Sequence, residues 1–155
     1  MSATASNQTP LAHSARRGAP EQSYEAHVAN VRRFAAKFAR ETGGYSERWG
    51  EAFQAVVESA AAYHDLGKLD AIFQDILCRN RPNREGFNHV EAGTAHLVKQ
   101  KQGEAALCCF AHHIGLPSLP REKARGEGRL FLRDEEIGRA PVCTPVPARY
   151  LVCRL

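Results

Sequence analysis

Tyr63-His64-Asp65-Leu66-Gly67-Lys68 closes a segment whose apolar positions, Trp49, Phe53, Val56, Val57 and Ala60, recur at helical spacing. The spacing predicts a helix that begins near Ser46 and ends at Leu66-Gly67, where glycine can adopt the left-handed conformation that stops a helix. His64 then occupies the last turn of a core-facing stripe, with Asp65 beside it. Adjacent helical residues diverge by about 100°. The two side chains are therefore expected on two sides of a metal centre, not clamping one ion, with the carboxylate free to bridge two. A buried aspartate without a metal or cationic partner is costly, which favours a functional role. Lys68 has an ordinary role available, since a cation near a helix C-terminus is stabilising.

Working outward, Tyr24, His27, Val28, Val31, Phe34, Ala35 and Phe38 mark an earlier helix over Ser23–Thr42, capped by Ser23 and stopped by Gly43-Gly44. His27 lies on its apolar stripe, where a lone histidine is most often a core residue. Residues 1–21 read as a polar N-terminal arm containing Leu11-Ala12-His13-Ser14, then Arg16 and Arg17. After the central stretch, Asp70–Arg79 reads as a short helix with Ile72, Phe73, Ile76 and Leu77 on its buried edge. The basic loop that follows carries Arg79, Arg81 and Arg84 before Phe87, as a solvated charge run or a phosphate-contacting edge. Asn88-His89-Val90-Glu91 has the pattern of a capping box, which sets His89 in a first turn facing a cleft. His96, deeper in that helix, reads as packing or surface. A fifth helix over Glu104–His113 ends in His112-His113-Ile114-Gly115, again histidine ligands followed by glycine. Beyond Pro117, residues 118–129 read as a flexible basic segment with Arg121, Lys123, Arg125 and Arg129. A weak helix over Leu130–Arg139 and a tail rich in Pro and Cys follow.

Length and composition bound the rest. The 155 residues suit one all-α domain. The formal charge of +4 permits a nucleic-acid partner without requiring one. No apolar run approaches the ~20 residues of a membrane span, and no signal-peptide core is present, so a cytoplasmic protein is expected. The five cysteines, Cys78, Cys108, Cys109, Cys143 and Cys153, form no Cys-x-x-Cys. They indicate neither a zinc knuckle nor a disulfide framework, and Cys108 and Cys109 read as small buried hydrophobes. Neither a Walker loop nor a Gly-x-Ser-x-Gly elbow occurs.

His27, His64, Asp65, His89, His112 and His113 together make a candidate dinuclear site. Imidazole with carboxylate suits Mn, Fe, Co, Ni or Zn better than Ca. Two such ions roughly 3.5–4 Å apart can activate a water and steady both oxygens of a phosphodiester displacement.

The ordered set Leu11-Ala12-His13-Ser14, Glu25-Ala26-His27-Val28, His64-Asp65-Leu66-Gly67-Lys68 with Phe73-Gln74, His89-Val90-Glu91-Ala92-Gly93 and His112-His113-Ile114-Gly115-Leu116-Pro117 resembles the HD nuclease domain of type I CRISPR interference proteins. The resemblance spans roughly residues 11–118. It implies an all-helical HD-domain bundle that cuts single-stranded DNA with two divalent transition-metal ions, working with a CRISPR surveillance complex and a helicase domain or separate helicase subunit. It assigns His27, His64, Asp65, His89, His112 and His113 as metal ligands and makes Asp65 and Lys68 the catalytic pair, with Lys68 holding phosphate or polarising the reacting water. His13 falls on a recurrent family position. The implied division is an arm over 1–21, an incomplete HD core over 22–118, and a basic linker, weak helix and irregular tail over 119–155. The basic residues Arg79, Arg81, Arg84, Arg121, Lys123 and Arg125 are the expected nucleic-acid contacts. One element departs from the family: a further metal-binding aspartate on a later helix has no counterpart, Asp134 being poorly matched in its surroundings. The chain thus reads as C-terminally truncated or frame-disrupted, with a minimal form carrying a substitute ligand as the alternative, and one ion in place of two is expected. An HD phosphohydrolase acting on nucleotides and an inactive HD module that binds metal or partners are the alternatives.

Overall fold

The structure is a computed structural model that describes residues 8–84, 86 and 88–125. Expectations for Phe87 and for residues 126–155 (Arg129, the helix over Leu130–Arg139, Asp134, Cys143, Cys153) lie outside the described residues. The described chain is mostly helical, with one two-stranded sheet. Its order is β1 (Leu11–His13), β2 (Gln22–Ser23), α1 (Tyr24–Gly43), α2 (Gly50–Tyr63), a 3₁₀ turn (Leu66–Leu69), α3 (Ala71–Cys78), α4 (Val90–Lys99), α5 (Gly103–Ile114) and α6 (Leu119–Ala124).

Local chemistry explains most helix boundaries. The Ser23 hydroxyl accepts from the Ala26 N–H and starts α1, while Asp70 accepts from Ile72 and Phe73 and starts α3. At α4, Asn88 Oδ1 accepts from the Val90 N–H and its Nδ2 donates to Glu91 Oε1, so the Asn/Glu pair caps through side chains. Gly115 ends α5 at φ +84°, a conformation that disfavours any Cβ.

α1 and α2 run antiparallel. Gly43 meets Gly50 at one end, where a Cβ on Gly50 would sit 2.5 Å from the Gly43 carbonyl, and His27 meets His64 at the other. The core lies between α2, α4 and α5, where Ala60, Leu97, Ala105, Ala106, Cys109 and Phe110 pack together. The start of α1, the ends of α2 and α5, and the start of α4 consequently converge at one end of the bundle.

Four expectations are corrected. First, α2 stops at Tyr63, before the doublet, and the 3₁₀ turn carries the chain away. Gly67 is not left-handed. Its requirement is close approach, since a Cβ there would lie 2.3 Å from the His89 carbonyl oxygen. Second, residues 10–23 are no loose arm. Leu11 pairs with Ser23 and His13 with Gln22, and the Gln74 side chain accepts from the Leu11 N–H and donates to the Leu11 carbonyl, each at 2.8 Å. A side chain 63 residues away completes this strand, so no local period announces it. Third, Arg121 and Lys123 sit on helix α6, not in a flexible linker, with Pro120 in the first turn where its missing N–H costs nothing. Fourth, Ile72 and Cys108 are exposed. Phe73, Ile76 and Cys109 are the buried members of those pairs.

Gly93 is as tightly constrained as Gly67, because a Cβ would lie 1.9 Å from the Tyr63 carbonyl oxygen at the end of α2. Gly93→Ala and Gly67→Ala are each expected to destabilise the fold by about 1–3 kcal/mol in urea unfolding. Gly103→Ala, which meets nothing within 4 Å, is expected to gain about 0.4–1 kcal/mol.

Candidate metal centre

Asp65 is 2% exposed and lies at the convergence of the helix ends. Its φ of −111° and ψ of 16° put it outside α2, with the helical relationship to His64 broken. As a result the two side chains turn toward one another. Asp65 Oδ2 is 2.9 Å from His27 Nε2, 3.3 Å from His64 Nε2 and 2.8 Å from Lys68 Nζ. Oδ1 faces the other way, 3.5 Å from His89 Nε2 and 3.9 Å from His113 Nε2. The 100° divergence expected of a helical pair therefore does not apply. His27, His64 and Asp65 form one group whose ligand atoms lie within 4.8 Å of one another, and Asp65, His112 and His113 form a second. The carboxylate is shared by both. His89 joins the second group through His113, their Nε2 atoms 3.0 Å apart.

The rings are oriented from behind. His64 Nδ1 donates to the Ala61 carbonyl at 2.9 Å, and His112 Nδ1 donates to the Cys109 carbonyl, each three residues back along the chain. His27 Nδ1 lies 3.2 Å from Gln22 Oε1 on β2. Each arrangement leaves Nε2 pointing inward, as a metal ligand requires. Lys68 is buried beside Asp65 through an i,i+3 pair and does not merely decorate a helix end. The Gln74 amide also donates to the Lys68 carbonyl, tying the turn to β1.

Burial pushes the Asp65 carboxyl upward, but the hydrogen bond and charge of His64 and those of Lys68 outweigh it, and the group is held well below the usual carboxylate range. Burial lowers His89 to about 4 against the opposing pull of Asp65. It likewise lowers His13, His27, His96, His112 and His113. An ionised carboxylate beside imidazoles biased toward the neutral form, as His27, His89, His112 and His113 are, is the protonation state in which these groups can ligate a cation.

All six expected ligands are thus brought to one centre. His13, which received no role from the sequence, joins them from β1, its ring edge-on to His27 at 4.8 Å between centroids. His96 stacks on Tyr63 at 4.5 Å, in keeping with packing. Among the expected nucleic-acid contacts, Arg79 and Arg81 are both paired with Asp75. Their loop is held against the chain just after His13, through Ser14 to the Leu77 carbonyl and Asn80 to the Ala15 carbonyl. Arg84, Arg121, Lys123 and Arg125 are exposed.

No family model matches the chain, and neither does any curated protein or solved structure. No described helix is long and apolar enough to cross a membrane.

The residues themselves fit a cation. Asp65 Oδ1 is buried and makes no hydrogen bond, an arrangement that costs stability unless something positive is supplied. The donors around it are imidazole nitrogens, suited to a first-row transition metal.

Acid should unfold the metal-free protein early. A histidine whose folded pKa lies below its unfolded value of 6.5 adds full stability above pH ~6.5, and that stability is lost as pH falls toward the folded value. With six histidines shifted this way, the melting temperature is expected to fall steadily from pH 6.5 to 4, before Asp65 itself titrates. Zn²⁺ at about 100 times its Kd should add about 2.7 kcal/mol at pH 7, and Asp65→Asn should abolish that gain in the same thermal melts.

Proposed function

We propose that this domain is a metal-dependent phosphodiesterase of the HD type that cleaves single-stranded DNA in CRISPR antiviral defence, alongside a surveillance complex and a helicase. The observation that carries this reading is the single buried carboxylate of Asp65 shared by two imidazole groups, His27 with His64 and His112 with His113. It recurs in the ligand order on which the resemblance to the CRISPR nuclease domains rests. His27, His64, Asp65, His89, His112 and His113 would hold one or two divalent transition-metal ions. A cation bound there supplies Lewis acidity toward a phosphodiester and its attacking water.

The chain's own residues account for the remainder. Asp65 stays ionised and fixes the spacing of the two histidine groups. Lys68 holds a cationic head inside the centre, 2.8 Å from that carboxylate, where it can donate to a phosphate oxygen. Burial biases His27, His89, His112 and His113 toward the neutral form. The exposed basic residues Arg84, Arg121, Lys123 and Arg125 favour a polymer over a free nucleotide. Their contribution to binding would weaken with salt.

Circular single-stranded DNA should be cut in Mn²⁺, Co²⁺ or Ni²⁺ and left intact in EDTA. Asp65→Ala should lower the rate by at least about 10²-fold, the scale on which loss of one electrostatic partner acts. Equal cleavage by all three samples would defeat the proposal, and salt-insensitive turnover of a small nucleotide would favour the nucleotide phosphohydrolase. Folded protein with Zn²⁺ bound but no hydrolysis of either substrate would favour an inactive module.

A further inference from the structure

His64 and His112 share one orienting device, a carbonyl three residues back along the chain. His27 does not. It stands in the first turn of α1, and its Nδ1 meets the Gln22 amide, which belongs to β2 and lies before the helix begins. Gln22 is held by the pairing of β2 with β1, opposite His13. β1 is held in turn by the two bonds from Gln74 to Leu11, and the same Gln74 amide bonds the Lys68 carbonyl. A continuous set of hydrogen bonds and strand pairing therefore runs from the turn that presents Asp65 and Lys68, through the hairpin, to the back of His27.

We infer that Gln22 is a positioning residue for the metal centre, fixing the ring orientation and tautomer of His27 so that its Nε2 lone pair faces Asp65. This inference rests on the metal-centre reading and adds to it an outer partner drawn from the N-terminal hairpin. The chemistry follows from the imidazole. When Nε2 binds a cation, the ring proton must sit on Nδ1, and that N–H needs an acceptor, which Gln22 Oε1 provides at 3.2 Å. When no cation is bound, Nε2–H can instead donate to Asp65 Oδ2 at 2.9 Å, and the Gln22 amide can rotate to offer its NH₂ to Nδ1. An amide serves both tautomers, whereas a carboxylate serves one and a thioether neither. Removing an outer partner of a ligating histidine typically costs about 10–100-fold in metal affinity.

The test is Zn²⁺ titration of the full chain as wild type, Gln22→Met and Gln22→Glu, with metal-free melting temperatures measured in parallel. Gln22→Met keeps the shape of the side chain and removes its acceptor; about 10–100-fold weaker Zn²⁺ binding is expected, with little change in the metal-free melting temperature. Gln22→Glu retains the acceptor and is expected to bind at least as tightly as wild type. Nitrogen-15 NMR of Zn²⁺-loaded wild type provides a readout independent of how either variant folds, and should show the His27 proton on Nδ1. Unchanged affinity in Gln22→Met overturns the inference, as does a proton on Nε2. Equal losses in both variants with a matching drop in melting temperature would make Gln22 merely structural and would also overturn it. Wild-type protein that binds no Zn²⁺ would bring down the metal-centre reading together with this inference.

Discussion

A carboxylate almost wholly removed from water is the constraint on which the rest of this molecule depends. Asp65 loses its hydration at the meeting point of four helix ends, and desolvation of an ion costs several kcal/mol unless charge and hydrogen bonds replace the water. The chain replaces it unevenly. Oδ2 receives Lys68, His27 and His64, whereas Oδ1 has two imidazoles nearby and no hydrogen bond. That asymmetry leaves Oδ1 as the atom a cation could use. A purely structural aspartate is expected to have both oxygens satisfied, while one poised for a cation keeps an oxygen in reserve. Burial disfavours both charged forms: it biases His27, His89, His112 and His113 toward neutral imidazole, while His64 and Lys68 hold the carboxylate ionised against it.

Bringing the ligand-bearing segments this close requires backbone against backbone. Gly67 lies against the His89 backbone and Gly93 against the Tyr63 carbonyl. These two contacts lock the α2 end and the 3₁₀ turn onto the start of α4 from both sides. Without them His89 would stand off from Asp65 by at least the thickness of a methyl group. The glycines thus act on the site through geometry, with no side chain of their own in it. The hairpin has a comparable role on the opposite flank, where Gln74 ties β1 to the Lys68 turn and Gln22 backs His27.

Much of the helical framework was legible because its signals are local. Ser23 caps α1, Asp70 caps α3, and Asn88 with Glu91 caps α4, each through bonds spanning two or three residues. Two of the misreadings, β1 and Gly67, have the opposite property. β1 exists because Gln74 reaches it across 63 residues. Gly67 passed for a helix stop because a glycine after an apolar stripe commonly is one, whereas its true neighbour, the His89 carbonyl, is remote in sequence. His13 carried no signal beyond its place in the resemblance, since only strand pairing brings it beside His27.

The sequence by itself determined which residues could ligate and on which helix ends they stand, because periodicity, caps and glycines within a few positions fix those placements. It also determined the chemical type of the site, since imidazole and carboxylate donors are a matter of composition. Only the tertiary structure decided how His64 and Asp65 relate. The expected divergence of about 100° presumes a continuing helix, and α2 ends at Tyr63, two residues short of Asp65. Once Asp65 leaves the helical path, its direction is set by what it must contact, namely Lys68 and the imidazoles of His27 and His64. Those partners are assembled by packing between segments far apart in the chain, which no local pattern encodes.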